Sequence, residues 1–169
     1  MLFLLDANAL IDANRDYYPI ERVPEFWEWL EHMGNTGQVK IAAEIYDEVT
    51  RGSPQDPLVK WLKDAGHKAA LLLDEEVDRD KMNHVIRKGY GINGPTEDDL
   101  ETMGRDPLLI SYALKTSVDR CIVTTETSKP RRQGANRKIP DVCQDLQVSV
   151  CTTFQFIQKL DFRTSWKAA

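Results

Sequence analysis

Four short apolar runs limit what this chain can fold into: "LFLL" (2–5), "VKI" (39–41), "CIVTT" (121–125) and "QVSVC" (147–151). Each is too short for a helix, and the first and third lack polar alternation, so they suit strands buried on both faces. The stretches between them carry apolar residues at helical spacing. "PEFWEWLEHMG" (24–34) opens on Pro, closes on Gly and places Phe26, Trp27, Leu30 and Met33 inward. Helices are also predicted for 7–14, for the stretch after Ile41 that ends near Gly52, and for 56–66, 74–91 and 106–117. Short ones follow at "PDVCQDL" and at "TTFQFIQKL", the latter capped by Thr152 or Thr153. "AALLL" (69–73) reads as a strand or buried segment. "ETSKPRRQGANRKIP" (126–140) has no periodicity and reads as a long loop.

Short strands alternating with helices predict an α/β domain with a mainly parallel sheet between two helical layers. A chain of 169 residues without a linker or internal repeat is expected to form one such domain, 1–169. No stretch approaches a membrane span, and the N-terminal run stops at Asp6, so a cytoplasmic protein with no membrane partner is expected. Cys121, Cys143 and Cys151 are odd in number and lack metal-ligand spacing, which argues against a disulfide framework or a zinc site.

In an open α/β sheet the chemistry lies beyond the carboxyl ends of the strands. Asp6 follows "LFLL" there, and Glu126 follows "CIVTT" in the same way. Glu48 lies in the helix after the second strand, with Glu44 one turn earlier. Asp106 opens the apolar helix "PLLISYAL". Singly, each acid has a plain role as a helix cap, a solvated helix residue or the start of a loop. Together at one sheet end they would repel one another unless a cation neutralises them. Oxygen-only ligands favour Mg²⁺ or Mn²⁺. The net charge of −5 does not attract nucleic acid, so such an ion would also supply positive charge for a phosphodiester.

The four segments "LLDAN", "YDEVTRG", "RDPLLISYA" and "IVTTE" resemble, in order and spacing, the motifs of the PIN-domain ribonucleases. "KIPDVC" additionally resembles a prokaryotic branch of that superfamily. The resemblance implies a PIN-like α/β/α sandwich and an endoribonuclease that leaves a 5′-phosphate and a 3′-hydroxyl. It implies metal-binding catalytic acids at Asp6, Glu48, Asp106 and Glu126, with Asn8 supporting Asp6 and Thr124 orienting the last acid. It also implies a toxin restrained by an antitoxin protein, and by analogy a homodimer. The last acid is Glu where the family has Asp, which leaves Asp141 as a candidate to complete the metal site.

"KPRRQGANRK" (129–138) gathers Lys129, Arg131, Arg132, Arg137 and Lys138 beside Glu126. It is either a solvated loop or a flap that grips RNA phosphates and orders on binding. The three histidines share no spacing, and the helical spacing of Trp27, Trp29 and Trp61 suits core packing or a partner interface better than base stacking. A catalytically silent PIN-like module that binds RNA or a protein is the rival reading, motivated by Glu126. A phosphatase with an aspartate nucleophile would need a second acid where Asn8 stands.

Overall fold

The computed structural model describes residues 1–168. Strands β1 (Leu2–Leu5), β2 (Val39–Lys40), β3 (Arg120–Val123) and β4 (Ser149–Cys151) form one sheet in the order β2-β1-β3-β4. Every pairing is parallel. Successive strand residues point to opposite faces, yet Phe3, Leu4 and Leu5 are all buried, as are Cys121, Ile122 and Val123. Both faces are therefore covered by helices, which gives the three-layer α/β/α arrangement.

Among the described residues ten α-helices surround the sheet. Those that position the site are α1 (Ala7–Asp12), α3 (Ala43–Thr50), α8 (Asp106–Leu114) and α9 (Ile139–Asp145). From β1 the chain leaves toward β2 on one side and returns to β3 on the other. The strand order thus reverses between β1 and β3, where open sheets of this kind leave a crevice. Helix α8 buries Pro107, Leu109, Ile110, Tyr112 and Ala113, so it lies apolar nearly all round within the body of the protein. Gly104 (φ +56°) ends α7 (Glu97–Met103) in a backbone conformation that side chains other than glycine disfavour. That turn sets the start of α8 two residues later.

Helix α2 (Pro24–Asn35) turns Phe26, Trp27, Trp29 and Leu30 into the core, so its aromatic face is covered within the chain. The Trp27 indole N–H donates to the Tyr18 carbonyl at 2.6 Å, and His67 stacks on the half-buried Trp61 at 4.2 Å. Thr152 is the cap of α10 (Thr153–Lys159), in a reciprocal capping box with Gln155.

Several boundaries differ from the sequence expectations; the helix expected over 56–66 stops at Lys63 and the one over 106–117 at Leu114. Residues 69–73 are not a strand: α5 (Ala65–Leu71) runs through most of them, and only Leu72 bridges the sheet at Ile41. The Asp64 carboxylate caps that helix by accepting from the N–H groups of Gly66 and His67, a start signal that outweighs a brief apolar run. The helix predicted over 74–91 begins at Arg79, where Asp78 caps it, and widens at Val85–Gly89. Ahead of it Glu75 is drawn off by Arg120 and Lys115. The first helix continues past Asn14 to Tyr17 with wider turns. The three cysteines are free and buried, and no described helix is long and apolar enough to cross a membrane.

Candidate active site

Asp6 is the N-cap residue of α1, yet its side chain makes no capping bond. The cap reading of this acid is therefore wrong. Its carboxylate is buried and turns instead to β3, where Oδ2 accepts from the Thr124 hydroxyl at 2.8 Å. The same hydroxyl accepts from the Glu126 N–H at 3.1 Å, so Thr124 ties the first acid to the backbone of the last. Asn8 is exposed, and the support expected from it comes from Thr124.

Asp106 is the first residue of α8 and half-buried. Glu48 is exposed on α3. Helices α3 and α8 touch, and the Tyr112 hydroxyl donates to Glu44 Oε1 at 3.4 Å, so Glu44 braces the pair rather than entering the acid group. The fields of these acids overlap. Burial lifts the Asp6 carboxyl to about 6, with Glu126 and Glu48 adding to the rise and the Thr124 bond opposing it. Burial lifts Asp106 further, to about 8, with Asp6, Glu126 and Glu48 pushing the same way and Lys138 pulling back. The charges of these four acids, drawn from four separate parts of the chain, thus act on one another. As they are oriented, no three His, Cys, Asp or Glu side chains among the described residues stand in an arrangement that would hold an ion. They are neighbours through their electric fields.

Glu126 has other partners. Its Oε2 accepts from the Ile139 N–H at 3.0 Å, and its Oε1 pairs with the Lys138 ammonium. The expected free metal ligand is an anchor for the start of α9. Asp141 departs from expectation as well. Its two oxygens accept from the Ser128 hydroxyl and from the Lys129 N–H (2.8 Å), so it fastens the loop instead of completing an acid site. Asp141→Ala would leave that N–H unpaired and free the loop. We expect a loss of about 1–3 kcal/mol in urea denaturation, with faster proteolysis confined to residues 126–138.

The basic segment divides. Lys129, Arg131 and Arg132 are exposed. Arg137 is not a phosphate grip: its guanidinium donates to the Gly89 and Asp141 carbonyls and pairs with Asp145. Held at Asp141, Glu126 and Gly89, the loop is ordered by the chain itself rather than by a ligand.

Sequence reasoning missed Asp12, Thr125 and Tyr90. The Thr125 hydroxyl donates to Asp12 Oδ2 at 2.6 Å and closes β3 onto α1. The Tyr90 hydroxyl is buried without a hydrogen-bond partner, and burial beside Asp106 pushes it up. Asp12 had a signal, since it stands on α1 four residues after Asn8. Two depressions flank α1. One, of about 570 Å³, is lined by Ile11, Asn14, Arg15, Glu48 and Val49 among others. The other, of about 310 Å³, holds Asn8, Asp12, Thr125, Glu126, Lys129 and Lys138.

Residues 3–164 match the model of a family described as a domain of unknown function, DUF4411. No curated protein and no solved structure matches.

Proposed function

Since the chain belongs to the DUF4411 family, whose description states no activity, we propose from the site itself that it is a divalent-metal-dependent endoribonuclease. The observation that supports this reading is that Asp6, Glu48, Asp106 and Glu126 act on one another electrostatically, with the Asp6 and Asp106 carboxyls raised by burial and by their acidic neighbours. Holding like charges together this way destabilises the protein, and a cation removes the penalty. The donors are oxygens only, which suits Mg²⁺ or Mn²⁺. The order of the motifs, which resembles that of PIN-domain ribonucleases, supports the same reading and suggests a toxin role with a protein antitoxin.

Asp6, Asp106 and Glu48 would hold the ion. Thr124 fixes Asp6 through Oδ2, while the exposed Glu48 side chain is free to swing inward. The bound ion would supply positive charge against the phosphodiester and ease ionisation of the attacking water. The water oxygen bonds to phosphorus, the P–O3′ bond breaks, and the 3′ oxygen takes up a proton. Lys129 lines the depression that holds Glu126, and the exposed Arg131 and Arg132 next to it in the chain would contact the rest of the strand.

The test is cleavage of single-stranded RNA with Mn²⁺. Wild-type protein should cut, EDTA should stop it, and Asp6→Asn should be inactive with an intact melting transition. Activity that persists in EDTA or in Asp6→Asn sinks the assignment. One observation favours a second reading, a silent module that binds RNA or protein: Glu126 is already neutralised by Lys138. Absence of any heat or thermal shift with Mn²⁺ would select that reading.

A further inference from the structure

We infer that Lys138 is a phosphate-binding residue of this site, occupying the place of a second cation, and that Glu126 serves to hold it there. The inference rests on the nuclease reading and deepens it to a site that takes one divalent ion.

Both Glu126 oxygens have protein donors, the Ile139 N–H and the Lys138 ammonium, and the carboxylate is only 12% exposed. An ion could use this acid only by stripping away the lysine. Glutamate, a methylene longer than aspartate, spans from the end of β3 to the start of α9. The lysine backbone is fixed as well, because its carbonyl accepts from the Asp141 and Val142 N–H groups at 3.0 and 3.1 Å. Its side chain therefore leaves from a rigid base.

The ammonium is not used up by this pairing. It has three donors and Glu126 takes one. The side chain remains 27% exposed. It lines the open 310 Å³ depression with Lys129, across from Asn8 and Asp12. The neighbouring Arg137 is turned the other way, onto the Gly89 carbonyl and Asp145. Lys138 is thus a cation that the fold holds where its charge reaches Asp106. A phosphodiester entering there meets the carboxylates of Asp12 and Glu126, and a compact ammonium supplies the charge its non-bridging oxygens need.

The experiment pairs Mn²⁺ calorimetry with single-turnover cleavage of single-stranded RNA, on the full chain. Lys138→Met alone would strand the Glu126 carboxylate and risk misfolding. The double variant Glu126→Gln with Lys138→Met, which removes both charges, is therefore the main probe. Wild type should take up one ion per chain. The double variant should take up one ion with similar affinity and melt near wild type, yet cleave about 10²–10³-fold more slowly. Lys138→Arg should recover part of that loss. Cleavage by the double variant at the wild-type rate overturns the inference, and so does a second wild-type ion that Glu126→Gln removes. A wild-type chain that takes up no ion and cuts no RNA brings down the nuclease reading itself, and this inference with it.

Discussion

Asp106→Asn is expected to move activity and stability in opposite directions. Cleavage should fall by roughly 10³-fold or more, because a direct ion ligand counts for more than the 10–100-fold typical of residues behind the ligands. Without metal, the same variant should melt at a higher temperature than wild type. Burial and the carboxylates of Asp6, Glu126 and Glu48 lift the Asp106 carboxyl from its ordinary 3.8 to about 8, so ionising it strains the folded protein. A group raised in the folded state adds stability that is complete below its unfolded value and is lost as pH climbs through the folded one. The ion-free protein should therefore lose melting temperature steadily from about pH 4 to about pH 8. Asp106 contributes over the whole of that descent, and Asp6, raised to about 6, adds to its lower part. Asp106→Asn should flatten the upper part, and millimolar Mn²⁺ should cancel the slope in wild type. A flat wild-type profile in EDTA would show that the acids do not strain the fold.

The largest stability effect is expected at Trp29→Ala. Trp29 is 1% exposed and packs on Phe26, Phe156 and Phe162 with ring centroids 5.7, 5.5 and 4.9 Å away. Truncating a tryptophan in such a cluster removes apolar contacts and leaves a cavity that surrounding rings fill only in part. The expected cost is about 3–5 kcal/mol in urea denaturation, with Asp6 and its neighbours undisturbed. A loss below about 1 kcal/mol would mean that the aromatic cluster collapses around the gap.

The strands were legible because their side chains face helices on both sides, which leaves short apolar runs such as "LFLL" and "CIVTT" with few other uses. The buried Asp6 stood out for a related reason, since it directly follows a buried strand. The strand alternative for 69–73 failed because an apolar stretch that short fits either a strand or a buried helix, and the Asp64 cap decides between them. The Glu126–Lys138 pair was hidden. The two residues are separated by a loop without periodicity, and only the position of α9 shows that they meet. A clue was present in "KIP", where a proline at the second helical position places the helix start at Ile139 and makes Lys138 its N-cap. The roles of Arg137 and Asp141 were hidden too, because charge alone does not say whether a side chain faces solvent or a backbone carbonyl.

The bond from Thr124 to Asp6 joins positions 118 residues apart. During translation, most of the polypeptide must leave the ribosome before β3 can settle beside β1. A nascent fragment that stops short of β3 has Asp6, Glu48 and Asp106 but nothing to steady the first of them. If the chain is the nuclease proposed above, its activity would begin late in synthesis, once β3 has settled beside β1.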